Sequence, residues 1–182
     1  MIKAIVAMRN GDGGIGYQGG LPWKISADLR WFKKWTDGCM VVMGYNTAIE
    51  FQKPLPNRVN LVIVNDVNKD KLPKGFIPIR KEDALTSVKK LEDIGTVYII
   101  GGAKTYKLFE EIIDYWIVTH VEAPLSPCDT FLDLDLSNHT TMVKNLLDLD
   151  IKSFHKVHAK DSPEVLGWYY EIYLHPRLTN KA

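Results

Sequence analysis

Cysteine is scarce in this chain, and neither sign of charge is in surplus. There are 2 cysteines in 182 residues, Cys39 and Cys128, far apart and in no C-x-x-C pair. That usage favours a reduced, cytoplasmic setting over a disulfide framework. With 23 basic and 22 acidic residues the formal net charge is +1, and no stretch gathers charge of one sign, so neither a nucleic-acid surface nor a membrane surface is expected. Long hydrophobic runs are missing too. Each apolar run is strand-length, too short to span a bilayer, and the first, Met1 to Met8, meets Arg9 before it could serve as a signal peptide. Repeats, linkers and low-complexity segments are absent. What remains is an ordinary globular mixture, 46% apolar and 25% charged, enough chain for one domain whose core needs no staples.

Short β-type runs alternate with helical patterns. Strands are expected at Ile2 to Met8, Cys39 to Met43, Arg58 to Val64, Phe76 to Ile79, Thr96 to Ile100, Tyr115 to Val121, Ile151 to His158 and Trp168 to Leu174. Helical spacing fills Ser26 to Thr36, Thr47 to Phe51, Lys81 to Asp93 and Ala103 to Ile113, and Asp37-Gly38 gives the first helix a favoured C-terminal stop. Val41-Val42-Met43 and Val97-Tyr98-Ile99-Ile100 are apolar on both faces, as parallel strands covered by helices on both sides should be. The last two strands, joined through Asp161-Ser162-Pro163-Glu164, read as an antiparallel hairpin at one end of the sheet. The expectation is a single α/β domain with a mixed sheet.

Gly11-Asp12-Gly13-Gly14-Ile15-Gly16 satisfies G-x-G-x-x-G and follows a strand. The dinucleotide fingerprint, however, needs a helix to open at that point. Residues 11 to 22 contain six glycines and a proline and cannot start one, so the match reads as accidental and the segment as a loop able to close beside a site. Two turns further on fit a phosphate better, Met43-Gly44-Tyr45-Asn46-Thr47 and Ile99-Ile100-Gly101-Gly102-Ala103-Lys104-Thr105-Tyr106. In each, a strand runs through glycine into a helix start, where backbone amides and a threonine hydroxyl can meet an anion. A plain strand-to-helix turn explains the same residues.

One carboxylate stands among large apolar side chains. Leu21-Pro22-Trp23 precedes Asp28, and Trp31, Phe32 and Trp35 follow at helical spacings of three, four and seven, so Asp28 lies in a first turn behind Ser26 as N-cap and on the apolar face. Either it complements the helix dipole, or it is a buried acid with a raised pKa that binds a nitrogen heterocycle. Of the five histidines, His155 and His158 share a strand but point to opposite faces, so no metal is expected.

Taken in order, Ile5, Val6 and Ala7, Ile15-Gly16, Leu21-Pro22-Trp23, Asp28-Leu29 with Phe32, Met43-Gly44 with Thr47, Pro54-Leu55-Pro56 with Arg58, Ile100-Gly101-Gly102 with Tyr106, and Thr119-His120 resemble the dihydrofolate reductase family. The resemblance runs from Ile2 to about Leu174. It implies one domain over residues 1–182, core about 2–176 with a short polar tail, built on an eight-stranded, mostly parallel mixed sheet with a C-terminal antiparallel hairpin and four helices. It also implies a cytoplasmic, monomeric oxidoreductase of one-carbon metabolism that uses NADPH to reduce 7,8-dihydrofolate to tetrahydrofolate, with hydride delivered to C6 and a proton to N5. Its only partner would be the small-molecule substrate.

Residue by residue, the resemblance implies that Asp28 anchors the pterin as a bidentate carboxylate and shares the reacting centre with Trp23 and Tyr106. Ile5, Val6, Ala7, Leu29, Phe32, Ile100 and Thr119 would form the pterin pocket, Phe51 and Leu55 would meet the aminobenzoyl ring, and Arg58 would clamp the α-carboxylate of the glutamate tail. Ala7, Ile15, Gly16 and Leu21 would meet the nicotinamide end of the cofactor. Gly44, Tyr45, Asn46 and Thr47, Asn65, and Gly101, Gly102, Ala103, Lys104, Thr105 and Tyr106 would hold the rest, with a cis bond between Gly101 and Gly102. Three features depart from the family pattern: one extra residue at Gly13-Gly14, an expanded Pro124 to Cys128 ahead of Asp129-Thr130, and Tyr45 where bacterial members carry arginine against the 2′-phosphate. A pyrimidine reductase of riboflavin synthesis shares the fold and NADPH, but Leu21-Pro22-Trp23 with Asp28 favours folate. A non-enzymatic binding protein would tolerate loss of Asp28, Trp23 and Arg58, and all three are present.

Overall fold

The structure, a computed structural model, describes residues 1–66, 68–142 and 162–179. In chain order the elements are β1 (Ile2–Arg9), β2 (Gly14–Gly16), α1 (Ser26–Thr36), β3 (Met40–Gly44), α2 (Tyr45–Phe51), β4 (Val59–Val64), β5 (Ile77–Arg80), α3 (Ala84–Leu91), β6 (Val97–Ile99), α4 (Ala103–Phe109), β7 (Tyr115–Glu122), β8 (Thr130–Phe131), β9 (Thr140–Thr141), β10 (Gly167–Leu174) and α5 (Pro176–Thr179). Eight of the strands form one mixed sheet in the order β5-β4-β3-β6-β1-β7-β10-β9, and β2 pairs with β8 apart from it.

The chain divides into two compact units, one of Met1–Ala4 with Lys33–Ile113, the other of Ile5–Phe32 with Asp114 onward. In the first unit β3 runs parallel to β4 and β6, β4 parallel to β5, and the opening residues of β1 parallel to β6. Val41, Val42, Met43, Val62, Val97 and Ile99 are fully buried. Consecutive buried residues on β3 mean both its faces are covered, which explains why these strands are continuous apolar runs rather than alternating ones. In the second unit β10 lies antiparallel to β7 over the full length of both strands, with β9 on its other edge. Trp23, Ile25, Val121, Ala123, Val165, Trp168 and Tyr170 form the core behind them.

Several expectations are corrected. The segment expected as one helix from Lys81 to Asp93 is a 3-10 turn at Lys81–Asp83 followed by α3, and Ala103 to Ile113 divides into α4 and a 3-10 turn at Glu110–Ile112. Helix α2 starts at Tyr45, two residues ahead of the expected Thr47, because it opens directly from Gly44. Ser26 is the first helical residue of α1, and the helix opens on the bond from Leu29 N–H to the carbonyl of Ile25, which holds the N-cap position expected of Ser26. A fifth helix, α5, adds to the four expected. The short strands β2, β8 and β9 carry too few residues for a period-2 signal. The strand expected at Ile151 to His158, with its hairpin partner role and both of its histidines, lies outside the described residues.

Candidate active site

In the second unit α1 carries Asp28 in its first turn, with only 8% of the residue exposed. The Thr119 hydroxyl, on β7, donates a hydrogen bond of 2.6 Å to Asp28 Oδ1. Burial pushes the carboxyl from its ordinary 3.8 up to about 6, against the stabilising bond from Thr119. This is the buried acid and not a solvated dipole residue: an exposed first-turn carboxylate would hold its usual value or fall below it. Trp31, one turn on, stacks on Tyr170 of β10 at 4.4 Å between ring centroids. Burial and the charge of Asp28 both push the Tyr170 phenol up.

Ile5 and Val6 of β1 are buried, Ala7 and Phe32 half-buried, and Leu29 exposed. Trp23 is buried, and among the described residues its indole N–H has no acceptor. The glycine-rich segment turns back on itself instead of starting a helix. Tyr17 and Gly20 exchange backbone bonds, and β2 with its buried Ile15 pairs with β8. Asp129 Oδ2 accepts the Gln18 N–H at 2.7 Å, and the Asp129 N–H reaches the Gly16 carbonyl at 2.9 Å. A Cβ on Gly16 would stand 3.0 Å from Thr130 Cβ, so glycine is what lets this loop lie against β8. Leu21 is exposed.

In the first unit β3 ends in Gly44 and turns into α2, while β6 ends at Ile99 and leads through Ile100, Gly101 and Gly102 into α4. Gly44 N–H donates to the Gly101 carbonyl at 2.8 Å, the Gly101-Gly102 bond is cis, and Gly101 has φ +118°. A Cβ at Gly44 would lie 2.7 Å from Thr105 Oγ1, and one at Gly101 would lie 3.4 Å from the Tyr106 ring. The two turns are in backbone contact; a side chain at Gly44 has no room beside Thr105, and at Gly101 it is the positive φ, not lack of space, that calls for glycine. Neither helix has a side-chain cap. Thr105 and N–H of Tyr106 both donate from the backbone to Gly102, while the preceding Ala103 and Lys104 lie at the start of α4. Thr105, Tyr106 and Ile100 are buried, Tyr45, Thr47 and Ala103 half-buried, Asn46 and Lys104 exposed. This donor-rich glycine cradle suits a phosphate-bearing cofactor. Asn65 is engaged in its own turn, with Oδ1 accepting the Asn68 N–H at 3.1 Å.

In the same unit Arg58 Nε donates to the Pro56 carbonyl at 2.9 Å and Nη1 to Thr36 Oγ1 at 3.0 Å. Burial lowers its pKa while nearby Asp37 raises it. Leu55 is half-buried and Phe51 exposed. Sequence reasoning missed Thr36 and Asn60. The only signal for Asn60 was one amide inside the apolar run Val59–Val64.

An open, mostly parallel sheet whose strands end in glycine turns beneath helix starts is the architecture of α/β proteins that take nucleotide ligands at strand carboxyl ends. The family model described as dihydrofolate reductase matches residues 1–160. The chain belongs to the dihydrofolate reductase family. It is 46% identical over 105 residues to a bifunctional dihydrofolate reductase-thymidylate synthase of Paramecium tetraurelia, a match covering 55% of this chain and 20% of that one, so the chain spans about a fifth of that relative. The dihydrofolate reductase of Saccharomyces cerevisiae is 29% identical over 153 residues, 72% of each chain. Among solved structures, a dihydrofolate reductase from Enterococcus faecalis complexed with NADP(H) and RAB-propyl superposes with a TM-score of 0.75 at 25% identity, covering 96% of this chain and 95% of that one.

Proposed function

We propose that the chain is an NADPH-dependent oxidoreductase that reduces 7,8-dihydrofolate to 5,6,7,8-tetrahydrofolate. The observation that carries this reading is the buried Asp28 carboxyl with Thr119 at 2.6 Å. A carboxylate kept from water is a strong partner for a flat ring edge carrying two adjacent N–H donors, because both oxygens can accept at once and the low local dielectric strengthens each bond. Thr119 fixes the rotation of the carboxyl so that the edge it presents is constant. NADPH, when bound, supplies the hydride.

The remaining work falls to the chain's own residues. Asp28 holds the pterin and, by its negative charge, favours the protonated form of the ring at N5. The Trp23 indole N–H is the buried donor suited to orient a water that brings that proton. Ile5, Val6, Ala7, Leu29, Phe32 and Ile100 exclude other water and Tyr106 packs at the reacting centre, while Phe51 and Leu55 take the aminobenzoyl ring and Arg58 the tail carboxylate. Ala7, Ile15, Gly16 and Leu21 would hold the nicotinamide end of NADPH, and Gly44, Tyr45, Asn46, Thr47, Asn65, Gly101, Gly102, Ala103, Lys104, Thr105 and Tyr106 the rest.

The reading extends to a monomer; unpaired Cys39 and Cys128 support a reducing, cytoplasmic compartment, and a net charge of +1 supports the lack of a nucleic-acid partner. Among the described residues no helix is long and apolar enough to cross a membrane. The test is the fall in NADPH absorbance on adding dihydrofolate, with formation of tetrahydrofolate in equal amount; no dihydrofolate-dependent consumption overturns the proposal.

A further inference from the structure

Asn60 is the one polar side chain inside β4 that is almost wholly buried, with 2% exposed, and all its bonds run to one loop. Its Oδ1 accepts the Leu55 N–H at 2.9 Å, while Nδ2 donates to the Leu55 carbonyl and to the Arg58 carbonyl, each at 2.9 Å. The amide orientation follows from the partners: one backbone donor and two backbone acceptors can be satisfied together in only one of the two flips. Both ends of the segment from Leu55 to Arg58 are thereby tied to a rigid strand flanked by β3 and β5. On the other side the loop is held by Gly38 N–H to the Asn57 carbonyl at 2.8 Å and by Asn57 Nδ2 to Asp37 Oδ2 at 2.9 Å, with Asn57 in a left-handed conformation at φ +56°. The Arg58 guanidinium is then set by Pro56 and Thr36. None of this is needed to pair β4 with its neighbours, which uses backbone bonds alone.

We infer that Asn60 is the positioning residue for substrate-tail recognition: it sets the backbone from which Arg58 presents its guanidinium to an anionic carboxylate, and so determines specificity for ligands that carry such a tail. This rests on the reading of Arg58 as the tail clamp. Preorganisation is the physical reason. A guanidinium that must first be ordered loses part of its binding free energy to conformational entropy, and a two-oxygen acceptor demands a defined plane and distance. A merely structural asparagine would weaken all ligands alike when replaced.

The experiment compares Asn60→Asp, Asn60→Ala, Arg58→Leu and Asn60→Asp/Arg58→Leu with the wild type. The readouts are kcat and KM for dihydrofolate and the Kd of a small diaminopyrimidine that has no carboxylate tail. Asn60→Asp keeps size and the Leu55 bond but sets a carboxylate against two carbonyls; Asn60→Ala guards against a folding failure caused by that charge. KM for dihydrofolate should rise about tenfold in the Asn60 variants, the scale of one lost charge-assisted bond, with kcat and diaminopyrimidine Kd within about twofold of wild type. In the double variant the losses should not add, since both act on one clamp. Equal losses for tailed and tailless ligands, additive losses, or a KM within twofold of wild type overturn the inference. If Arg58→Leu itself fails to separate the two ligands, it is the tail-clamp reading that falls, and Asn60 falls with it; if Arg58→Leu separates them and the Asn60 variants do not, only Asn60 falls.

Discussion

At Asp28 the protein carries a charge that its own folding disfavours. The carboxyl titrates near 6 in the folded state against 3.8 ordinarily, so between those values the folded protein binds a proton that the unfolded chain has released. Stability linked to this group is fully present below about 3.8 and is lost as pH rises through about 6, by roughly 3 kcal/mol in all. Asp28→Asn removes the charge yet retains an acceptor for the Thr119 hydroxyl. It should raise the stability of the ligand-free protein at pH 7.5, by an amount approaching that figure, and the gain should shrink toward zero between pH 6 and pH 4. Urea unfolding across that range measures it. The same variant should lose on the order of 100-fold in kcat/KM for dihydrofolate at neutral pH, a trade of function for stability at one atom. A variant no more stable than wild type at pH 7.5 would mean that burial is not what raises the pKa.

Among the elements, the two glycine turns at the ends of β3 and β6 decide how closely backbone meets backbone. Gly44→Ala puts a methyl group 2.7 Å from Thr105 Oγ1, on a buried, β-branched helical side chain with two χ1 rotamers at most to move between. Overpacking of this kind costs about 1–3 kcal/mol. NADPH affinity should fall about tenfold or more while a tailless diaminopyrimidine still binds within about twofold, and adding Thr105→Ala should recover the melting temperature. In the placement of NADPH proposed above, helices α2 and α4 also bear on which cofactor is chosen. Tyr45 opens α2 with a neutral hydroxyl where an arginine would meet a 2′-phosphate with a charge-assisted bond worth roughly 1.5–3 kcal/mol. In that placement Lys104, exposed near the start of α4, is a cation that would make up part of it. NADPH should therefore be preferred to NADH, with Tyr45→Arg widening the kcat/KM ratio and Lys104→Ala narrowing it. If neither ratio moves by more than about twofold, these residues do not read the 2′-phosphate.

For the molecule as a whole, a ligand that binds only the folded state stabilises it by mass action. NADPH at about a hundred times its Kd adds roughly 2.7 kcal/mol, which for a chain of this size raises Tm by roughly 5–11 °C. NADH at the same concentration should give a smaller rise, in step with the kinetic preference. A thermal scan in which NADPH moves Tm by less than about 2 °C would set an upper limit on affinity that the proposed cradle does not allow.

Much of the architecture was readable from neighbours along the chain. Alternation, apolar runs, the Asp37-Gly38 stop and the two glycine turns are local signals, and α1, β3, β6 and α4 begin where those signals put them or within one residue. The order of motifs carried the family. What the sequence alone determined was thus the type and succession of elements and the identity of the acid, because backbone propensity and turn chemistry act over a few residues. Only tertiary structure decided which side chains meet. Thr119 reaches Asp28 across 91 positions, Arg58 meets Thr36 across 22, and β2 finds β8 with no periodicity in either. Burial settled the acid itself: a first-turn aspartate is written the same way whether it faces water or not, and the loss of solvent that raises its pKa exists only once β7 and β10 pack against its helix.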